Sequence, residues 1–257
     1  EGALYSAPLA PGDLDGDGLG DVVYEQFPEK SYSIGFLSGG SLDWSGLVGE
    51  TRGQVRAVYL RDQLSRTVAA RDVDGDGLDD VWSWGSSSTA YDGNVYLLAG
   101  GSSAFDGGTH DVREVALGWW TDARDDGDVI ALIAGGDVTG DGLGDAIFVT
   151  KEDNPVLAWR PFVGETTAIS YSGSFLDLPE TLWNDNESSQ LSLADADFVG
   201  DLDGDGIDEL LLDNDQDVGT NGATSLLEGE DLLVEGGNAR DLAVSLWYDP
   251  SPAPSSE

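Results

Sequence analysis

The sequence contains no cysteine, which excludes disulfides, thiolate metal sites and cysteine nucleophiles and leaves the redox compartment open. It has a single histidine, His110, in "GGTHDVREV", where no nucleophile lies nearby. That setting reads as a solvated loop residue rather than a catalytic base. Only 11 of the 257 residues are Lys or Arg against 50 Asp and Glu, for a formal charge of −39. So negative a surface repels nucleic acid and anionic membrane, and both are excluded as partners. No apolar run approaches the length of a membrane span, so no membrane insertion is expected, and the start at Glu1, without methionine, shows no signal-peptide pattern. Such a start fits a processed secretory chain or a trimmed one equally. A sustained helical period is also missing.

What the chain does have is 36 glycines, 8 tryptophans and many short apolar runs, the composition of short strands joined by turns. An apolar content of 40% is too high for a disordered acidic chain, and the length suits one repeat-built domain with a substantial core. An all-β protein is expected.

One acidic loop is spelled four times: "DLDGDGLGD" from Asp13, "DVDGDGLDD" from Asp72, "DVTGDGLGD" from Asp137 and "DLDGDGIDE" from Asp201, at intervals of 59, 65 and 64 residues. A period of that size is a supersecondary repeat. Each loop runs into a strand-like segment ("DVVYE", "DVWSW", "DAIFV", "ELLLD"). A second such segment ends at Gly39, Gly100, Gly164 or Gly229, a third follows ("AVYL", "REVALGWW", "ETLW", "AVSLWY"), and one precedes each loop ("ALYSAP", "RTVAAR", "VIALIAG", "QLSLADA"). Each unit therefore reads as a four-stranded antiparallel blade with the acidic loop between its first two strands. Blades are expected at about 1–62, 63–124, 125–187 and 188–248, followed by a Pro/Ser-rich tail or linker at 249–257.

The repeated D-x-D-G-D-G-x-x-D loop, the period of about sixty residues and endings such as "VYLLAGG" together resemble the FG-GAP repeats of integrin-α-like calcium-binding β-propellers. The resemblance covers the chain except its tail and implies a four-bladed propeller, secreted or displayed at the cell surface, that works as a calcium-stabilised adhesion module recognising an extracellular protein or glycan. A carbohydrate-active enzyme or lectin-like accessory domain and a structural stalk or assembly subunit are the alternatives. The chain is not expected to be an enzyme, because the basic cluster of a polysaccharide lyase would be hard to assemble from so few cations. Four blades close either as a ring within one chain or as a ring of two chains, the monomer being favoured because like charge opposes association.

The loop spacing carries its own chemistry. Calcium takes six to eight hard oxygen ligands, and a tight loop offers them from alternating positions. Positions 1, 3, 5 and 9, with the position-7 carbonyl, are Asp13, Asp15, Asp17 and Asp21 with Leu19, then Asp72, Asp74, Asp76 and Asp80 with Leu78. The third loop gives Asp137, Thr139, Asp141 and Asp145 with Leu143, and the fourth Asp201, Asp203, Asp205 and Glu209 with Ile207. Up to four Ca2+ ions are expected, the weakest at the third loop, where Thr139 replaces a carboxylate. In the fourth, Glu209 has to reach from the first residue of a strand, with Asp208 as a substitute. An EF-hand is excluded, since position 12 is Tyr24, Ser83, Phe148 or Leu212 rather than an acid. Bare Asp-Gly turns would account for one or two loops, not for four clustered sets of mutually repelling acids. Trp82, Trp84, Trp119 and Trp120 read as packing residues before sugar-stacking ones.

Overall fold

The computed structural model describes residues 8–26, 33–39, 53–56, 66–85, 94–121, 129–151, 157–165, 171–174, 178, 181–184, 196–214, 223–233, 237–238 and 245–248. The first repeat contributes β1 (Val22–Gln26), β2 (Ser33–Leu37) and β3 (Gly53–Arg56). The second contributes β4 (Arg66–Arg71), β5 (Asp80–Gly85), β6 (Asn94–Leu98), β7 (Thr109–Asp111), a one-turn helix α1 (Val112–Val115) and β8 (Gly118–Thr121). The third holds β9 (Val129–Gly136), β10 (Asp145–Lys151), β11 (Leu157–Phe162), β12 (Tyr171–Ser174) and β13 (Leu182–Asn184). The fourth holds β14 (Asp197–Gly200), β15 (Glu209–Asn214), β16 (Ala223–Leu227), β17 (Gly237–Asn238) and β18 (Ser245–Tyr248).

Consecutive apolar runs pair antiparallel, as short strands separated by Gly- and Asp-rich turns do. β1 pairs with β2, β5 with both β4 and β6, β10 with both β9 and β11, and β15 with both β14 and β16. The outer edges break this simple pattern. β7 of the second repeat adds in parallel to β3 of the first, β12 of the third to β8 of the second, and β17 of the fourth to β13 of the third. The resulting sheets have four, five, five and four strands, in the orders β1-β2-β3-β7, β4-β5-β6-β8-β12, β9-β10-β11-β13-β17 and β14-β15-β16-β18. Each donated strand covers an edge that would otherwise present unpaired backbone groups.

The core is divided accordingly. Along β5, Val81 faces a cluster shared with the first sheet (Val23, Ile34, Phe36), while Trp82 and Trp84 face one shared with the third (Leu132, Phe148, Phe162). Along β10, Phe148 faces the second sheet and Ile147 and Val149 face the fourth, against Leu210, Leu212 and Leu227. Successive residues of a strand point to opposite faces, so the two middle sheets are buried on both sides. Among the described residues no cluster joins the fourth sheet to the first.

These findings overturn the expected all-β, four-bladed propeller, and with it the FG-GAP and integrin-α-like resemblance. The described residues form four separate sheets with one short α-helix and mixed parallel and antiparallel pairing, and none of these sheets closes into a barrel. The physical reason lies at the sheet edges: three short strands cross between repeats, so the repeats are not self-contained antiparallel blades. Locally, "REVALGWW" is not one strand. The Asp111 carboxylate accepts the Arg113 N–H at 2.9 Å as an N-cap, which starts a helical turn before the chain extends again at Gly118. The Pro/Ser-rich tail at 249–257 and most of the segment read as the first strand, 3–7, lie outside the described residues.

Candidate metal centres

Each acidic loop folds around its first aspartate. The Asp13 carboxylate accepts the N–H of Gly16 at 2.8 Å on Oδ1 and that of Gly18 at 2.9 Å on Oδ2. Asp72 does the same with Gly75 and Gly77, Asp137 with Gly140 and Gly142, and Asp201 with Gly204 and Gly206. Those eight glycines sit at φ between +73° and +96°, a conformation that other residues adopt only with strain. The position-5 carboxylates Asp17, Asp76, Asp141 and Asp205 then accept the position-7 N–H at 2.8–2.9 Å. The D-x-D-G-D-G spelling thus bends the backbone back onto its own acids, and this gathers the carboxylates.

Position 9 has a role that its spacing alone does not reveal. Asp80 Oδ2 accepts the N–H of Val73 at 2.7 Å and Oδ1 that of Gly100 at 2.8 Å, so one carboxylate pins the start of its loop to the end of β6. Asp21 repeats this with Leu14 and Gly39, and Asp145 with Val138 and Gly164. Glu209 makes only the first half: Oε2 accepts the Leu202 N–H at 2.6 Å, while its buried Oε1 has no hydrogen-bond partner. Asp80 and Asp145 are fully enclosed. Burial, only partly offset by the backbone hydrogen bonds, pushes Asp80 up to about 7 and Asp145 up to about 6. Burial also raises Asp21, Asp74 and Glu209 above the ordinary carboxylate range, helped in each case by neighbouring acids.

Successive loops are tied to one another through position 8, a link that the loop spacing does not reveal. The N–H of Asp79 donates to the carbonyl of Asp13, that of Gly144 to Asp72, and that of Asp208 to Asp137. Two of these residues add their side chains: Asp79 Oδ2 accepts the Asp13 N–H at 3.0 Å, and Asp208 Oδ2 accepts the Asp137 N–H at 3.1 Å. Asp208 also holds Arg71 Nη1 at 2.7 Å, so its side chain serves the third loop and the second repeat. The signal that could have shown this is the doubled acid at 79–80 and 208–209, where one member turns inward to its own loop and the other reaches the preceding one. Gly20, the position-8 residue of the first loop, has no such bond to Asp201 among the described residues. The row of loops is open there, and its ends leave Leu19 at 51% and Leu202 at 61% exposure. Among the position-7 residues Leu19 is thus exposed, whereas Leu78, Leu143 and Ile207 are half-buried.

Three groups of carboxylates have ligand atoms that all lie within 4.8 Å of one another: Asp13, Asp15 and Asp17; Asp72, Asp74 and Asp80; and Asp201, Asp203, Asp205 and Glu209. Two oxygens on opposite sides of one ion at ~2.4 Å are about 4.8 Å apart, so these acidic clusters can chelate a metal ion. Asp21 and Asp76 fall outside their groups. The third loop provides no such group among the described residues, and the Thr139 hydroxyl donates to Asp137 Oδ1 at 3.3 Å. His110 lies in β7 with Nε2 2.8 Å from Asp106 Oδ1, and that hydrogen bond is the leading cause holding Asp106 below the usual carboxylate range. Trp82, Trp84 and Trp120 are buried in the core, and Trp119 lies under the Arg113 guanidinium.

No protein-family model and no curated protein matches this chain. The expected adhesion module recognising protein or glycan is corrected together with the propeller, and so are its carbohydrate-active and stalk alternatives. The adhesion and carbohydrate-active readings followed from the propeller resemblance, which the four separate sheets do not support, and the acidic clusters do not by themselves establish any of the three. What the described residues do bring together is carboxylate clusters.

Proposed function

We propose that the chain is a structural calcium-binding protein in which up to four ions, bound first at the three loops whose carboxylates converge, lock the loops to their strands and to one another. The observation that carries this reading is the enclosure of the position-9 carboxylates beside other carboxylates. Two like charges 4 Å apart cost about 4 kcal/mol at an effective dielectric of 20, and a cation converts that repulsion into attraction. The donor set favours calcium over softer metals because it is oxygen throughout, without cysteine or histidine. Calcium also tolerates the irregular, flexible coordination that such loops supply, whereas magnesium demands a small octahedron. The metal's role here is cross-linking. The proposal includes no catalytic step, no nucleic acid and no self-association, which the charge of −39 opposes. Loops of this kind in extracellular modules fill at about 10⁻⁴–10⁻³ M calcium, which favours a working place outside the cell or at its surface.

Calorimetric titration of metal-stripped protein tests the reading. Calcium should bind at up to four equivalents, more tightly than magnesium, and Asp74→Ala should lose more affinity than Thr139→Ala. Binding that saturates below one equivalent would overturn it.

A further inference from the structure

Each repeat has one more side chain beside its loop: the residue just before the closing glycine, which is Ser38, Ala99, Val163 or Glu228. At the first loop this position reaches the acids, since Ser38 Oγ donates to Asp17 Oδ2 at 3.4 Å. The fourth repeat is built in the same way. Leu210 pairs with Leu227 across β15 and β16, so the next residues outward on the two strands are Glu209 and Glu228. The backbone at Gly229 lies so close to the loop that a Cβ there would sit 2.4 Å from the Ile207 side chain and 2.5 Å from the Asp208 carbonyl oxygen. Glu228 is half-buried in this position.

A second feature points to a bound cation at the same place. Glu209 is 2% exposed and belongs to the group of four carboxylates whose ligand atoms converge, yet Oε1 has no hydrogen-bond partner. The aspartates at this position in the other loops use their second oxygen for the closing glycine's N–H. A buried carboxylate oxygen left without a donor is costly unless something positive meets it.

We propose that Glu228 is an additional ligand at the fourth loop, joining Asp201, Asp203, Asp205 and Glu209 around one divalent cation and making this the first loop to fill. The inference rests on the cation-binding reading of the loops. Burial and the charges of Asp203, Glu209 and Asp205 hold the Glu228 carboxyl above its ordinary range, which agrees with its facing that cluster.

Calcium titration of the metal-stripped full chain, followed by calorimetry, provides the test. Wild type should show a tightest phase of one equivalent, and Glu209→Gln should remove it, which assigns that phase to the fourth loop. Glu228→Gln should weaken the same phase at least ~10-fold, the lower range for loss of a group that supports a metal site, and leave the remaining phases unchanged. Glu228→Ser, which copies the arrangement at Ser38, should weaken it similarly, so a folding defect peculiar to one variant would not mimic the result. If Glu228→Gln binds as wild type does, or weakens a phase that Glu209→Gln spares, the Glu228 assignment is wrong and the general reading stands. If wild type itself shows no calcium binding, both fall.

Discussion

Asp80 shows how one side chain links the backbone to the metal chemistry. Its two oxygens receive backbone N–H groups from opposite ends of the structure they join, and its enclosure raises its proton affinity. In metal-stripped protein, between the ordinary carboxylate pKa of ~4 and about 7 for Asp80 or about 6 for Asp145, the folded state holds more protons than the unfolded one. Stability must then fall as pH rises through that window. Melts of stripped protein at pH 5 and pH 8 should give the higher Tm at pH 5, and saturating calcium should remove or reverse the difference. Asp80→Asn should flatten the pH dependence. It should also cost about 1–3 kcal/mol, because the amide keeps only one of the two acceptors. A Tm of stripped protein that rises with pH would contradict this assignment. Spacing made the acids at positions 1, 3, 5 and 9 legible as a set. The double clasp at position 9 was not legible, because its partners at Gly39, Gly100 and Gly164 are fixed by strand pairing that spacing does not record.

At the level of strands, legibility followed apolar content. The strands after the loops and those ending at the glycines could be read because hydrophobic runs follow turn residues. The strands that cross between repeats could not. "THD" of β7 and Gly237–Asn238 of β17 have no apolar alternation, and they pair because a neighbouring edge is open to them. The sheets are fastened to each other by aromatic packing. Trp82 meets Trp120 at 5.2 Å within its sheet, and Phe148 at 5.4 Å and Phe162 at 5.2 Å on the next one. Trp82→Ala should cost about 3–5 kcal/mol by chemical denaturation. Position 2 gives a contrast within one motif. Leu14 is fully buried and Leu202 is mostly exposed, so Leu14→Ala should cost about 2–5 kcal/mol while Leu202→Ala should stay within about 0.5 kcal/mol. Equal losses at the two leucines would show that the fourth loop is covered in solution.

Among the described residues the four sheets follow one another in a row, joined by three core clusters, by donated edge strands and by position-8 hydrogen bonds running from loop to loop. Four acidic loops placed side by side in a chain of charge −39 repel one another along that row. Cations hold that row together, and a melt of metal-stripped protein with and without calcium at constant ionic strength is the experiment that decides it. Binding to the folded state alone adds about 2.7 kcal/mol per site at one hundred times Kd. Calcium should therefore raise Tm well beyond an equal concentration of magnesium, and excess chelator should reverse the rise. A Tm that is the same in chelator, magnesium and saturating calcium would show that cations do not hold the sheets together.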